Sequence, residues 1–223
     1  IIFFFIISIL ETISFSLTAL NLGEEKKILK FFDKNFKGNY VDLGCFHPTR
    51  LNNTFQLYKK GWRGINIDLN PLTIELFDYA RPSDINICSA VSNSRKKKKL
   101  YFLGDLDSKN TLDLSHKSWL STHFKIKKKD FKIKEVLTNT LGDILKENNL
   151  FKIDFLNIDI EGHELEVLKS LDFRKFNIKV ICVEIINFNK RSKDKGKKII
   201  NILKRNKFNL VDKSEINYIF VRK

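Results

Sequence analysis

One strand–loop–helix–strand unit, residues 40–70, constrains the fold of this 223-residue chain more than any other part. Residues 40–45 form an apolar run interrupted only by Asp42, and Gly44 permits a sharp backbone bend directly after that acid. The next apolar run delivers Asp68 near its end. Ligands of parallel α/β sheets bind beyond the carboxyl ends of the strands, so we expect both acids to lie beside one site.

The ligand expected at this unit contains a ribose but no pyrophosphate. The first loop lacks the third glycine of G-x-G-x-x-G, and G-x-x-x-x-G-K-[ST] occurs nowhere in the sequence, which disfavours NAD and ATP. Asp68 is suited to accept hydrogen bonds from a pair of ribose hydroxyls. Asp42 lies within a buried run, where an unpaired carboxylate is costly, so it requires a partner. That partner is either the ligand or the loop that follows, which the carboxylate would then cap.

A second acidic motif, Ile-Asp-Ile-Glu-Gly, ends the apolar run within residues 153–164, IDFLNIDIEGHE. Together with the Asp-Leu-Gly of residues 42–44, it resembles the hallmarks of the FkbM family of S-adenosylmethionine-dependent methyltransferases, which end the family's first and fourth strands. The segments GWRGINID, TLGDIL and VICVEI also resemble family segments and follow in the family's order. The resemblance therefore extends from about residue 25 to the C-terminus. The chain departs from many members at residues 46–48, where Phe-His-Pro stands in a region that carries a further glycine.

The resemblance implies a fold, a cofactor and a reaction. The implied fold is an α/β, Rossmann-like class I methyltransferase sheet, mostly parallel and seven-stranded, with a C-terminal antiparallel hairpin. The implied cofactor is S-adenosylmethionine, and the implied reaction is O-methylation of a hydroxyl on a sugar, a glycan or a secondary metabolite. Five residues are assigned to cofactor binding: Asp42, Gly44, Asp68, Ser89 and Ala90. Asp42 would meet the amino group of the methionine moiety or the backbone amides beside it. Ser89 and Ala90 would flank the adenine, although small residues at a strand end also suit tight packing.

Asp159, Glu161 and His163 form the densest cluster of proton-handling groups in the chain. Three titratable groups at the carboxyl end of a strand favour catalysis, and we expect Glu161 or His163 to be the base. Asp159 is expected to position the methionine end of the cofactor and the acceptor. In the alternative interpretation, Glu161 and Glu164 are acids at a helix start and His163 is a capping residue. The spacing matches no defined metal motif, so no metal ligand is assigned.

Strands alternate with helices along the chain, which indicates a mostly parallel sheet. Strands are predicted at residues 40–45, 65–69, 84–91, 100–103, 131–137, 154–160 and 180–185, with a hairpin at 208–212 and 216–221. Helices are predicted at residues 24–36, 53–60, 71–79, 141–147, 164–171 and 193–206. Residues 104–124 are predicted to be a pocket-lining loop that contains His116 and His123 and selects the acceptor.

The formal net charge of +15 comes largely from two lysine-rich runs, residues 95–99 and 125–134. Both flank predicted strands, and such runs are typical of solvated faces. No zinc-finger spacing, RNP-like motif or basic heptad accompanies them, so no specific nucleic-acid partner is expected. An acidic polysaccharide or a membrane surface fits the charge better. The predicted partner of the site itself is a small-molecule or glycan acceptor.

Residues 1–22 form a hydrophobic segment with a single charge, Glu11, ahead of one predicted methyltransferase domain at residues 23–223. The segment is a truncated membrane anchor, a core-packing helix or the remnant of a signal peptide. Because the chain contains no Met, we expect sequence upstream of it. Cys45, Cys88 and Cys182 fall in predicted buried strands without a C-x-x-C pair, which indicates apolar packing and a reducing, cytoplasmic location, with membrane association if the segment is an anchor.

Two functions from other classes stay open at this point. A non-catalytic relative would keep the sheet as a ligand- or glycan-binding module, whereas the intact acids Asp42, Asp68 and Asp159 favour the enzyme. A nucleic-acid-binding domain driven by charge would show steeply salt-dependent binding. A metal-dependent reaction would lose its rate with a chelator.

Overall fold

The computed structural model describes residues 24–105 and 107–223, in which the chain forms ten strands and seven α-helices. The strands are β1 (Asn39–Leu43), β2 (Arg63–Asp68), β3 (Ile85–Cys88), β4 (Ala90–Ser92), β5 (Lys97–Phe102), β6 (Lys132–Thr140), β7 (Lys152–Ile158), β8 (Asn177–Glu184), β9 (Phe208–Lys213) and β10 (Asn217–Arg222). The helices are α1 (Glu24–Leu29), α2 (Phe55–Lys59), α3 (Pro71–Ala80), α4 (Leu114–His123), α5 (Leu141–Glu147), α6 (Glu164–Ser170) and α7 (Lys190–Arg205), with a 3₁₀ turn at Lys128–Asp130.

Seven strands form the main sheet in the order β3-β2-β1-β7-β8-β10-β9. The first five are parallel, and β10 is antiparallel to both of its neighbours, β8 and β9. This is the Rossmann-like class I methyltransferase sheet that the sequence predicts, including the C-terminal hairpin. The register places Asp42 of β1 between Asn66 of β2 and Asn157 of β7, so the carboxyl ends of these three strands lie side by side.

The core lies on both faces of the parallel strands. Val41, Leu156 and Ile181 are fully buried at the centre of the sheet, as expected for parallel strands covered on both sides. One face of the sheet packs against α5, α6 and α7. Helix α7 contributes the apolar pair Ile199 and Leu203 to this packing, four residues apart on one side of the helix. The opposite face packs against α1 and α2 through a smaller set: Ile28, Tyr40, Leu57, Trp62 and Phe155.

The predicted strand at residues 84–91 is wrong as a single strand. It divides at Ser89, whose backbone N–H donates to the Asp68 carbonyl oxygen at 2.8 Å. Before this point β3 pairs with β2; after it β4 pairs with β6 in a separate sheet of order β4-β6-β5. The predicted helix at residues 24–36 is also too long. It ends at Leu29, and the aromatic residues beyond it, Phe32 and Phe36, pack edge-on against Trp62.

The predicted loop at residues 104–124 contains a helix, α4, and this prediction of an entire loop was wrong. Asp113 caps the helix by accepting the His116 backbone N–H at 2.8 Å. Most residues of α4 are polar, so its sequence has no clear apolar stripe to reveal it. His116 is buried within the helix and His123 is exposed at its last turn.

Three smaller predictions have mixed outcomes. Cys45 and Cys182 are buried, whereas Cys88 is exposed on β3, so the prediction of burial was wrong for Cys88. The described lysines at residues 96–99 extend into β5, and all but Lys98 are exposed. The predicted hydrophobic segment, residues 1–22, lies outside the described residues. Across residues 24–105 and 107–223, every helix is too short or too polar to cross a membrane.

Candidate functional site

The carboxyl ends of β1, β2 and β7 border one cavity of about 270 Å³, whose other walls come from residues 89–91, residues 107–112 and the start of α1. Six acidic residues line it: Glu24, Glu25, Asp68, Asp107, Asp159 and Glu161. Among the described residues no Lys or Arg does so. A concave pocket at this edge of an α/β sheet is where a ligand is expected. The cavity brings together most of the predicted site residues: Gly44, Asp68, Ser89, Ala90, Asp159, Glu161 and His163.

Gly44 ends β1 at a point where the backbone passes very close to the end of β7. Its φ of +81° lies in the left-handed region that favours glycine. A Cβ added here would lie 1.7 Å from the Asp159 carbonyl oxygen. The Asp159 N–H donates to the Leu43 carbonyl oxygen at 2.9 Å, which joins the two strand ends. A glycine at this position therefore holds Asp159 next to the first loop.

Asp42 lies behind the cavity and is 1% exposed. Its Oδ2 accepts hydrogen bonds from Asn52 Nδ2 at 2.9 Å and Thr54 Oγ1 at 2.7 Å, and its Oδ1 accepts one from Asn157 Nδ2 at 2.9 Å. These contacts match the loop-capping alternative, and Asp42 is not part of the cavity wall. Its direct contact with a cofactor stays a prediction.

A buried guanidinium completes the network around Asp42. Arg81 donates to Thr54 Oγ1 at 2.7 Å and to Asn52 Oδ1 at 2.8 Å, and its Nε donates to the Pro48 carbonyl oxygen at 3.0 Å. It is 1% exposed and supplies a positive charge close to the Asp42 carboxylate. Arg81 thus fixes the loop between β1 and α2, and no motif in the sequence pointed to it.

Asp68 ends β2 on the cavity wall, where each carboxylate oxygen already accepts one backbone N–H. Oδ2 accepts from Phe46 at 3.2 Å and Oδ1 from Asn70 at 2.8 Å. Burial raises the pKa of Asp68 to about 6, although these two hydrogen bonds oppose the shift. Each oxygen keeps a further lone pair, so the carboxylate can accept a pair of hydroxyls from a ligand.

Ser89 and Ala90 lie where the chain leaves the main sheet. Both line the cavity, and Ala90 is buried with 6% exposure. Their contact with the adenine stays a prediction. Ala90 pairs with Thr138 of β6, whereas Ser89 precedes β4.

Asp159 lines the cavity without a hydrogen-bond partner for its carboxylate among the described residues. Burial, together with the negative charges of Glu161 and Glu164, raises the pKa of Asp159 well above its usual range. Glu164 has backbone partners instead: its Oε1 accepts the Gly162 N–H at 2.8 Å and the Ile160 N–H at 3.2 Å. The carboxyl group of Asp159 is therefore available to a ligand that carries a positive charge or hydrogen-bond donors.

Glu161 lines the cavity from a left-handed backbone conformation, with φ of +54°. Its Oε2 lies 2.8 Å from Nε2 of His116, the buried histidine of α4. Its carbonyl oxygen accepts the Thr111 hydroxyl at 2.6 Å. The residue after the glutamate is Gly162, where an added Cβ would lie 2.7 Å from the His116 Cβ. A glycine is thus needed for the histidine to approach.

His163 is less suited to proton transfer than Glu161. Its Nε2 and the Ser92 hydroxyl lie 2.9 Å apart, and its Nδ1 is buried without a partner among residues 24–105 and 107–223. Burial lowers the pKa of His163 to about 4. His47 is farther from the predicted role, because it does not line the cavity and its Nδ1 accepts the N–H groups of Thr49 and Arg50.

Sequence reasoning missed the acids of α1 and the polar groups of residues 107–110. Glu24 Oε1 accepts the Ser214 hydroxyl at 2.8 Å beside the cavity, and burial raises the pKa of Glu25 to about 7. Asn110 shapes the other wall by donating to the Gly104 carbonyl oxygen at 2.8 Å. Their positions depend on long-range packing, so no local signal identified them. Within the described residues, no group of His, Cys, Asp and Glu is arranged to hold a metal ion.

A model of the methyltransferase FkbM domain matches residues 38–210. The chain belongs to this family. The match begins just before β1 and ends in β9, so it includes the carboxyl ends of β1, β2 and β7 that border the cavity. The protein is therefore a methyltransferase, and membership of the family implies S-adenosylmethionine as its methyl donor. None of the curated proteins compared with the chain matches it.

Solved structures with related shapes include two methyltransferases. A TehB-like SAM-dependent methyltransferase from Corynebacterium glutamicum is 13% identical, with a TM-score of 0.45 over 90% of this chain and 88% of that chain. The delta-N METTL16 MTase domain is 10% identical, with a TM-score of 0.45 over 91% of this chain and 81% of that chain. At such low similarity, neither structure bears on the acceptor of this protein.

Proposed function

We propose that this FkbM-family methyltransferase transfers a methyl group from S-adenosylmethionine to a hydroxyl on a sugar, a glycan or a secondary metabolite. The observation that carries this proposal is the pair of acids at the cavity, Asp68 and Asp159, at the ends of β2 and β7. One has lone pairs free for a diol and the other has a carboxylate without a protein partner. These two acids suit two parts of one cofactor: Asp68 suits the ribose, and Asp159 suits the positively charged methionine end.

The residues present fit the cofactor on two counts. Asp68 is held by two backbone N–H groups at 2.8 and 3.2 Å, which orients its remaining lone pairs for a ribose diol. Asp159 lies among like charges, and a cationic ligand relieves that repulsion. Bound S-adenosylmethionine supplies an electrophilic methyl group on a sulfonium sulfur. Gly44 keeps the wall between the two acids open, and Ser89 and Ala90 leave space for the adenine.

The acceptor is proposed to be an uncharged, hydroxyl-rich molecule. Asp107, Ser108 and Asn110 present polar groups along the wall formed by residues 107–112. The described lining contains no Lys or Arg to bind a phosphate or carboxylate. Hydroxyl groups can donate to the acids and accept from the amide and serine, which a sugar does with several groups at once.

Each remaining site residue has a proposed task in this reaction. Asp159 aligns the methionine end and the acceptor, since alignment of the two reactants accounts for much of the rate of such a displacement. Glu161 accepts the proton of the acceptor hydroxyl, and His163 forms the wall beside it. Asp42 holds the loop that contacts Asp68 through Phe46. We also propose that residues 23–223 form a single methyltransferase domain.

Two measurements test the proposal. Calorimetry should show S-adenosylmethionine and S-adenosylhomocysteine binding in the micromolar range, near −8 kcal/mol, with about 5- to 150-fold weaker binding in Asp159→Asn. Incubation with S-adenosylmethionine that carries a deuterated methyl group, together with a cell extract of glycans and metabolites, should yield labelled products in mass spectrometry. A folded protein that gives no heat with either ligand would overturn the cofactor assignment, and label only on amines would overturn O-methylation.

A further inference from the structure

We infer that His116 of α4 is a positioning residue that holds Glu161 as the proton acceptor of the methyl transfer. The inference rests on the proposed function, because it assigns the pair a part in activating an acceptor hydroxyl. It gives the segment between β5 and β6 a second task besides lining the cavity. The sequence pattern predicts a loop for this segment, and nothing in that pattern connects His116 with Glu161, 45 positions later.

The first support is the contact between the two side chains. His116 is 2% exposed, and its Nε2 lies 2.8 Å from Glu161 Oε2. This Nε2 has no aligned hydrogen bond to any residue in the described part of the chain, so its contact with Glu161 is a close electrostatic one. The imidazole packs at 5.1 Å from the ring of Trp119, which restricts its rotation. A buried polar ring beside an acidic group is a costly arrangement unless the two groups interact.

The second support is the way in which α4 is fastened to the turn that carries Glu161. Thr111 donates its hydroxyl to the Glu161 carbonyl oxygen at 2.6 Å. Lys195 of α7 donates to both Asp113 Oδ2 and the Gly162 carbonyl oxygen, each at 2.6 Å, and so ties the cap of α4 to the same turn. Two contacts, from Thr111 to the Glu161 carbonyl oxygen and from Lys195 to the Gly162 carbonyl oxygen, thus hold a turn whose non-glycine residue Glu161 has an unfavourable left-handed conformation.

The charges around Glu161 explain why it needs a partner. Asp159 directly after β7, Glu164 on α6 and Glu184 on β8 all carry carboxylates close enough to repel one another. His116 on α4 and Lys195 on α7 face this acidic set, and both interact favourably with the negative charge of Glu164. The contact with His116 uses one oxygen of the Glu161 carboxylate and leaves the other for the acceptor.

The proton balance of the step is simple. The acceptor oxygen forms a bond to the methyl carbon, and the carbon–sulfur bond breaks with its electron pair remaining on sulfur. The proton of the acceptor hydroxyl passes to the free oxygen of Glu161. The close contact with the His116 imidazole stabilises the carboxylate before this transfer and keeps it directed toward the cavity.

The test uses substitutions that separate the nitrogen atoms of His116 from its volume. His116→Phe keeps a ring against Trp119 but removes both nitrogens, and His116→Gln keeps a side-chain donor. His123→Phe, at the exposed end of the same helix, is the matched control. Each variant is assayed for transfer of a radioactive methyl group to a mixture of free hexoses, deoxyhexoses and their methyl glycosides. Calorimetry with S-adenosylhomocysteine and a thermal melt establish that cofactor binding and folding are intact.

We expect His116→Phe to lower turnover by roughly 10- to 100-fold, with the Kd for S-adenosylhomocysteine within about twofold of the wild type. His116→Gln should recover part of the loss, and the control should match the wild type. In the background of Glu161→Gln, His116→Phe should cause little further loss, because both substitutions remove the same device. In ¹⁵N spectra of the histidine rings, Glu161→Gln should move the resonance of His116 and leave that of His123 in place.

The outcomes distinguish this inference from the proposed function. A wild type that binds the cofactor but methylates no hydroxyl of the mixture overturns the acceptor class and the inference with it. An active wild type with full turnover in His116→Phe overturns the inference alone. The same follows if the losses of Glu161→Gln and His116→Phe multiply, or if the His116 resonance does not respond to Glu161→Gln. Should His116→Phe fail to fold, His116→Gln in the Glu161→Gln background decides by the same criterion.

Discussion

The protonation state of Asp68 should control cofactor affinity between pH 5 and pH 7. Burial raises the pKa of this carboxyl to about 6, from an ordinary value of 3.8. Only the ionised form offers both oxygens as acceptors, so protonation removes one acceptor of the ribose diol. With a pKa of 6, roughly one carboxyl in eleven is ionised at pH 5, and affinity should therefore be about tenfold weaker there than at pH 7. Above pH 7 this contribution should be constant.

The stability of the free protein should change in the opposite direction. The folded state binds a proton at Asp68 more tightly than the unfolded state, because its pKa lies above the unfolded value of 3.8. The contribution of this group to the free energy of unfolding is therefore greatest below pH 4 and is lost as the pH rises through 6. Ligand binding and folding stability thus respond with opposite signs, which is a signature that general acid denaturation does not produce.

Calorimetry with S-adenosylhomocysteine at pH 5, 6 and 7 measures the effect in the wild type and in Asp68→Asn. The variant should bind about 5- to 150-fold more weakly at pH 7, the cost of about 1–3 kcal/mol for a hydrogen-bonding partner that is lost. It should also lose the part of the pH dependence centred near 6, while any part from Glu25, whose pKa is about 7, remains. Glu75→Gln, an exposed acid on α3, is the control. A flat wild-type profile, or an unchanged slope in Asp68→Asn, would refute this reasoning.

Three further substitutions or deletions have defined outcomes. Gly44→Ala should lower the melting temperature by several degrees and abolish cofactor binding, since its Cβ would meet the Asp159 carbonyl oxygen at 1.7 Å; Gly104→Ala, with its nearest atom at 3.9 Å, should change neither in the same melts. Arg81→Met should cost about 3–5 kcal/mol in denaturant unfolding by stranding the buried acceptors around it, whereas the exposed Arg205→Met should have little effect. Deletion of residues 1–22 should leave a folded domain with an unchanged melting temperature; a loss of about 1–2 kcal/mol, seen as a drop of several degrees, would instead assign the segment to the core.

The parts of the fold that the sequence predicts are those in which short segments carry their own signal. The end of β1 shows Asp42 and Gly44 within one apolar run, and the end of β7 shows Asp159 in the same way. Burial on both faces makes such strands continuously apolar, and a strand end must then supply the polar groups of the site. The structure confirms the mostly parallel sheet and gives the order of its strands, which local pattern alone does not fix.

The parts that the sequence does not predict depend on contacts between distant segments. The division of the strand at Ser89 follows from pairing with β6, and nothing near Ser89 announces a change of sheet. His116 lies in a helix with no apolar stripe, yet α7 and the turn at Glu161 bury it. An arginine directly after a helix is typical of the surface, yet the Arg81 guanidinium is buried and donates to Thr54 in the first loop. In each case the burial comes from the assembled fold.

The opposite charges of the surface and the cavity define which ligands this protein can select. The chain carries a net charge of +15, yet six acids and, within the described part, no Lys or Arg line the cavity. A site for phosphates would require the reverse, because cations provide the affinity for nucleic acid. The charges of the exposed lysines of β5 and β6 are screened over about 8–10 Å at physiological salt. This distribution of charge supports the proposed cationic methyl donor and the proposed neutral acceptor.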